Sequence, residues 1–173
     1  MPIKFGTYNI RNGRSGGLEA ALRAMEQANI DMGFMQETKI TDGVYTRASA
    51  GYRVIATDAP SQHRGRIAMF YREGVGFAVE EVRQYGPNVL SFEVVSGRRR
   101  WYIVGCYIAP DDAQTIERVV MSMGDQPKGT ALVVAGDLNT DLGEMGCDRR
   151  GAEISAALTE EVLLPPYPPA PPP

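Results

Sequence analysis

Histidine is all but missing from this chain, with one residue in 173, and cysteine occurs only twice. Without a CxxC pair or a second histidine a zinc site is not expected. Cys106, in a strand-like segment, and Cys147, in a loop-like one, do not make a disulfide framework. A reducing compartment, nuclear or cytoplasmic rather than secreted, is the expectation. No apolar run approaches the ~20 residues of a membrane span. The opening "MPIKFGTYNI" has no long apolar core of a signal peptide. Lysine is also scarce: fifteen of the eighteen basic residues are arginine, and the net charge is −3 with a pI near 5.3. That balance excludes a protein that holds nucleic acid by bulk charge. The arginines do cluster, at Arg64 with Arg66, Arg98 to Arg100, and Arg149 with Arg150. Arginine is the better bidentate phosphate partner, so a phosphate-bearing substrate is permitted, though not indicated.

What is present suits one α/β domain with an ordinary share of apolar residues (43%). A strand is expected over 4–10, then a glycine-rich loop. A helix follows, with Leu18, Ala21, Leu22, Met25 and Ala28 on one stripe, and a strand ends at Glu37. Segments 51–58, 66–71, 75–82, 89–95 and 99–108 have strand character, punctuated by Gly, Pro, Asn and Ser. Asp111 is expected to cap a helix whose stripe is Ile116, Val119, Val120 and Met123. The run Ala131 to Ala135 reads as a strand covered on both faces, because an exposed strand would alternate. A last helix is expected from about Asp148, with Ile154, Ala157 and Leu158 inward. Seven of the final nine residues are proline. Residues 164–173 therefore form an extended tail outside the domain (1–163), either a plain terminal extension or a ligand for a proline-binding groove.

Polar side chains recur where these strands end. Asn9 closes "GTYNI", Glu37 closes "MGFMQE", Tyr107 nearly closes "IVGCYI", and Asp137 and Asn139 follow "LVVAG". Singly, each has a plain reading: a turn former, an exposed acid, a core aromatic. Together they offer oxygen and amide groups with hardly any nitrogen or sulfur ligands. Such a set suits a hard cation, magnesium or manganese.

The ordered segments "TYNIRNG", "MQETK", "GRIAMFYR", "GRRRWYIVGCYIAPDD" and "VVAGDLNTDLG" resemble the successive motifs of the endonuclease/exonuclease/phosphatase superfamily. They are most similar to the endonuclease domain of non-LTR (LINE-type) retrotransposons, over residues 3 to 161. The resemblance implies a four-layer α/β/β/α sandwich of the DNase I-like type. It implies a magnesium-dependent nuclease acting on DNA, with manganese as an alternative ion. By position, Glu37 matches the principal metal ligand and Asn9 the amide that helps place metal or phosphate. Tyr107 matches a hydroxyl on a phosphate oxygen, Asp137 the carboxylate that deprotonates the attacking water, and Asn139 the amide that steadies it. Arg11, Lys39, His63 and Arg64 are the accompanying candidates for phosphate or nucleic-acid contact.

The sequence departs from the pattern twice. Arg66 stands where the family usually has glycine, so a different backbone is expected there. The family's later motifs, an aspartate and a Ser-Asp-His triplet, have no match, and the resemblance stops near "EISAALTEE". The expectation is a domain truncated at its C-terminus, weak or inactive, or completed by a separate C-terminal fragment. The alternatives are a catalytically dead remnant that binds nucleic acid or protein, and a phosphatase of the same superfamily.

Overall fold

Two four-stranded sheets carry the chain from residue 5 to residue 137. The computed structural model describes residues 2–11, 16–39, 51–57, 66–110, 112–140 and 151–156. It divides into two units, Met1–Asn139 and Thr140–Pro173. In the second, residues 151–156 are helical and Ile154 is buried. Ala157 and Leu158 lie outside the described residues, as does the proline-rich tail.

In the first unit, β1 (Phe5–Asn9), α1 (Gly17–Gln27) and β2 (Met32–Gln36) form a parallel crossover. Strands β3 (Tyr52–Ala56) and β4 (Ile67–Arg72) complete a sheet of order β1-β2-β4-β3. The second sheet has the order β5-β6-β7-β8, with β5 at Ala78–Gln84, β6 at Val89–Ser96 and β7 at Arg99–Tyr107. Helix α2 (Ala113–Gly124) then crosses to β8 (Ala131–Asp137), parallel to β7. Each sheet thus holds one strand–helix–strand unit, whose parallel strands finish on the same edge. Asn9 is in register with Gln36, and Tyr107 with Asp137.

Helix α1 buries Leu18, Ala21 and Leu22 against Met35, Val54 and Phe70 on the outer face of the first sheet. Between the sheets lie Met32, Phe34, Ile67, Met69, Leu90, Phe92, Val94 and Ile103. Helix α2 covers β6 and β7 from the far side, where the Tyr102 hydroxyl donates to the Ser122 carbonyl at 2.9 Å. The layers of this unit are helix, sheet, sheet, helix, as the resemblance implied. No helix among the described residues is long and apolar enough to cross a membrane.

Two expectations are corrected. The cap of α2 is Asp112, whose carboxylate accepts the Thr115 N–H at 3.1 Å; Asp111 lies outside the described residues. Strand β8 is half-buried rather than covered. Val133 and Ala135 pack on the inter-sheet core, but among the described residues β8 pairs with β7 alone. An unalternating apolar run therefore lies here at a sheet edge.

The inter-sheet spacing depends on Phe34, whose ring lies 5.6 Å from both Phe5 and Phe92. That ring occupies the space a side chain at Gly105 would need, since a Cβ there would fall 2.1 Å from it. Gly105→Ala is expected to lower stability by roughly 1–3 kcal/mol through overpacking. Urea denaturation should show a lower midpoint with an unchanged slope; an unchanged midpoint would refute this packing.

Candidate active site

Hydrogen bonding at the carboxyl ends of β1, β2, β7 and β8 gathers the polar side chains that the sequence placed at strand termini. The Asn9 amide donates to Glu37 Oε1 at 2.8 Å and to Asp137 Oδ2 at 2.8 Å. One nitrogen therefore bridges two carboxylates from different sheets, and those oxygens lie no farther apart than twice 2.8 Å. The Asn9 side-chain oxygen accepts the Arg11 N–H at 2.9 Å, which fixes which way the amide faces. Tyr107 donates to Glu37 Oε1 at 3.2 Å. Asn139 donates its backbone N–H to Asp137 Oδ1 at 3.1 Å and its amide to the Ile108 carbonyl at 3.1 Å.

The backbone is held in costly conformations around this cluster. Glu37, Asn139, Arg11 and Lys39 have φ of 54°, 49°, 56° and 52°. Asparagine tolerates the left-handed region, whereas a residue such as Glu37 sacrifices on the order of 1–2 kcal/mol there. In exchange, the chain turns abruptly as β2 ends. Arg66, opposite this turn, has φ 82° and is buried. Arg66 thus takes a left-handed conformation of the kind that glycine adopts most readily.

Burial, and then the nearby Glu37 carboxylate, raise the Tyr107 pKa above the usual phenol value. The hydroxyl consequently stays protonated through neutral pH and remains a donor. Cys106, one residue earlier, faces away from this role: burial, with a smaller contribution from Asp137, pushes its thiol up to about 12. It is a free, inert thiol.

Of the sequence candidates, Asn9, Glu37, Tyr107, Asp137 and Asn139 converge. Arg11 joins through its backbone, and Lys39 stands two residues beyond Glu37. His63 and Arg64 lie outside the described residues. Asn88 was not anticipated. It is buried, accepts the Arg66 N–H at 2.8 Å, donates to Asp112 at 3.2 Å, and its carbonyl accepts the Tyr107 N–H at 2.9 Å. It ties the start of β4, the end of β7 and the cap of α2 together. In sequence it stands in "GPNVL", which reads as an ordinary turn.

The family model of the Endonuclease/Exonuclease/phosphatase family matches residues 6–171. The chain belongs to that family. No curated protein matches the chain at a significant level. Among solved structures, the fold is similar to the endonuclease domain of TRAS1, a telomere-specific non-LTR retrotransposon, at 18% identity and a TM-score of 0.70. That alignment covers 92% of this chain and 71% of the other. TDP2 from D. rerio, solved with a single-strand DNA product, aligns at 12% identity and a TM-score of 0.58, over 88% of this chain and 64% of its own. A mannosyl-6-phosphatase from Bacteroides thetaiotaomicron aligns at 13% identity and a TM-score of 0.56, over 81% of this chain and 66% of its own. At these identities the likeness is one of fold. The chain spans roughly two thirds of the length of these family structures.

The donors present are two carboxylates and an amide, and no group of three or more acidic, histidine or cysteine ligands occurs among the described residues. Magnesium, which keeps several waters and takes one or two carboxylates, fits such a set. Zinc does not.

Tyrosine labelled at the ring Cζ gives a direct check on the site's electrostatics. The resonance lost in Tyr107→Phe should titrate above the usual midpoint of about 10. Glu37→Gln should lower that midpoint, leaving the part due to burial. A midpoint at or below the usual value would contradict the arrangement.

Proposed function

We propose that this chain is an endonuclease-type domain that hydrolyses DNA phosphodiester bonds with magnesium, manganese serving as an alternative. The observation supporting this reading is the Asn9 amide joining Glu37 to Asp137 beside the Tyr107 hydroxyl. Membership of the family supports hydrolysis of phosphate esters, and the likeness to the TRAS1 domain favours a nucleic-acid substrate over a small one.

Glu37, with Asn9 beside it, would hold the cation. When bound, that ion supplies Lewis-acid stabilisation of charge developing on the phosphate oxygens. The chain's own groups carry the remaining work. Asp137 Oδ accepts a proton from water and aims it at phosphorus, while the Asn139 N–H restrains the carboxylate from the other side. Tyr107, protonated at neutral pH, offers its O–H to a phosphate oxygen once substrate displaces its bond to Glu37. The turn carrying Glu37 and Lys39 leads the strand past the metal ligand toward a cationic side chain.

A second reading, a binding module without turnover, shares this fold and differs from the first only in chemistry.

Plasmid nicking with magnesium separates the readings. Conversion of supercoiled to open circles is expected, stopped by chelation and reduced at least ~100-fold by Asp137→Ala. Intact plasmid at stoichiometric protein would favour the binding module. Intact plasmid together with phosphate release from a sugar phosphate would favour a phosphatase.

A further inference from the structure

The arginine cluster at residues 98–100 has no part in the chemistry above, and the fold places it at the other end of the sheets. Strand β7 starts at Arg99 and reaches the candidate active site at Tyr107. Strand β1 likewise starts at Phe5 and reaches it at Asn9. At about 3.3 Å per residue, the start of β7 lies roughly 26 Å, and Ile3 before β1 roughly 20 Å, from the edge that carries the candidate active site. There the gap between the two sheets opens into a pocket of about 640 Å³, lined by Pro2, Ile3, Ser96, Arg98, Arg99 and Trp101.

Strand alternation sorts the cluster by face. Arg99 and Trp101 lie on the same side of β7 as Ile103, which packs in the inter-sheet core, so both side chains belong to the mouth of that gap. Arg100 takes the opposite face, where it pairs with Glu93 at 3.2 Å and Glu80 at 3.8 Å. Arg98 and Arg99, both exposed, have no ion-pair partner among the described residues. Asp31, just before β2, accepts the Lys4 N–H at 2.8 Å. The pocket thus has an apolar floor at Pro2 and Ile3, a half-buried indole on one wall, and two uncompensated guanidiniums with a hydroxyl on the rim.

We infer that this pocket is a second binding site, for a nucleotide unit of a single-stranded nucleic acid, with the base against Trp101 and its phosphates on Arg98 and Arg99. Its volume falls in the range of small-ligand pockets, ~300–1,000 Å³. An aromatic face beside arginine is the combination that holds unpaired bases without sequence preference. A purely anionic ligand would leave the indole and the apolar floor unused. An apolar one would leave two guanidiniums uncompensated. A strand held here while another part of it lies at the catalytic edge would be spanned by the length of the sheets. Binding here does not depend on hydrolysis or on a metal, so it stands or falls separately from the proposed nuclease activity.

Trp101 is the protein's single tryptophan, so its fluorescence reports on this pocket alone. In chelator, with no divalent ion, titration with a twelve-residue oligo-dT should quench that fluorescence saturably. The double variant Arg98→Ala/Arg99→Ala should bind at least ~10-fold more weakly at low salt, with an unchanged unfolding temperature. The slope of log affinity against log salt should fall by about 1.4, the loss of two phosphate contacts on a single strand. Trp101→Phe should keep binding, read by anisotropy of a labelled oligomer, while the quenching disappears. The inference is overturned if the oligomer binds by anisotropy without quenching, or if the double variant binds as well as the parent. It is also overturned if an abasic oligomer, heparin or poly-glutamate quenches equally, because the base would then contribute nothing. Equal affinity for dTMP and the oligomer would overturn the assignment to a strand.

Discussion

The site rests on one amide. Asn9 offers two N–H groups, and each is taken by a carboxylate oxygen at 2.8 Å, one from the turn after β2 and one from the end of β8. Two acids brought this close repel, and the bridging amide offsets that repulsion by donating to both. A hard cation favours the same pair of carboxylates. The side chain that assembles the site in the free protein is therefore also one that a bound ion would rearrange.

Rigid supports make that arrangement possible. Both carboxylates and both amides are mounted at the finishing edge of parallel strands, and each parallel pair is enforced by a helical crossover. Packing of Phe34 against Phe5 and Phe92 fixes the distance between the sheets. Asn88 then locks the two sheets at the edge of the candidate site by bonding to the backbone of Arg66 beside one and of Tyr107 in the other. The left-handed residues Glu37, Arg66 and Asn139 are affordable only because such packing and bonding over-determine them.

Much of this was legible in the sequence, for identifiable reasons. Stripes at helical spacing located α1 and α2, and polar residues following apolar runs marked Asn9, Glu37, Tyr107 and Asp137 before any fold was known. That these four belong together needed the resemblance, since spacing along the chain does not say which strand ends share an edge. Strand β8 was misjudged because an apolar run reports how hydrophobic a strand is, not whether a neighbour pairs with its second side. Asn88 was invisible because its three contacts are with residues 19, 22 and 24 positions away in sequence. Arg66 stood out by residue type, and it occupies a left-handed conformation that few residues other than glycine take readily.

The central proposal is that Glu37, with Asn9 beside it, holds a hard divalent cation next to Asp137. Thermal unfolding with increasing magnesium or manganese tests it without requiring turnover. A ligand at about 100 times its Kd stabilises by roughly 2.7 kcal/mol, a rise of about 5–10 °C in Tm for a chain of this size. The expected result is a rise of that order in the parent protein, absent in Glu37→Gln. A Tm that does not move with either ion, or that moves equally in the variant, would contradict the claim.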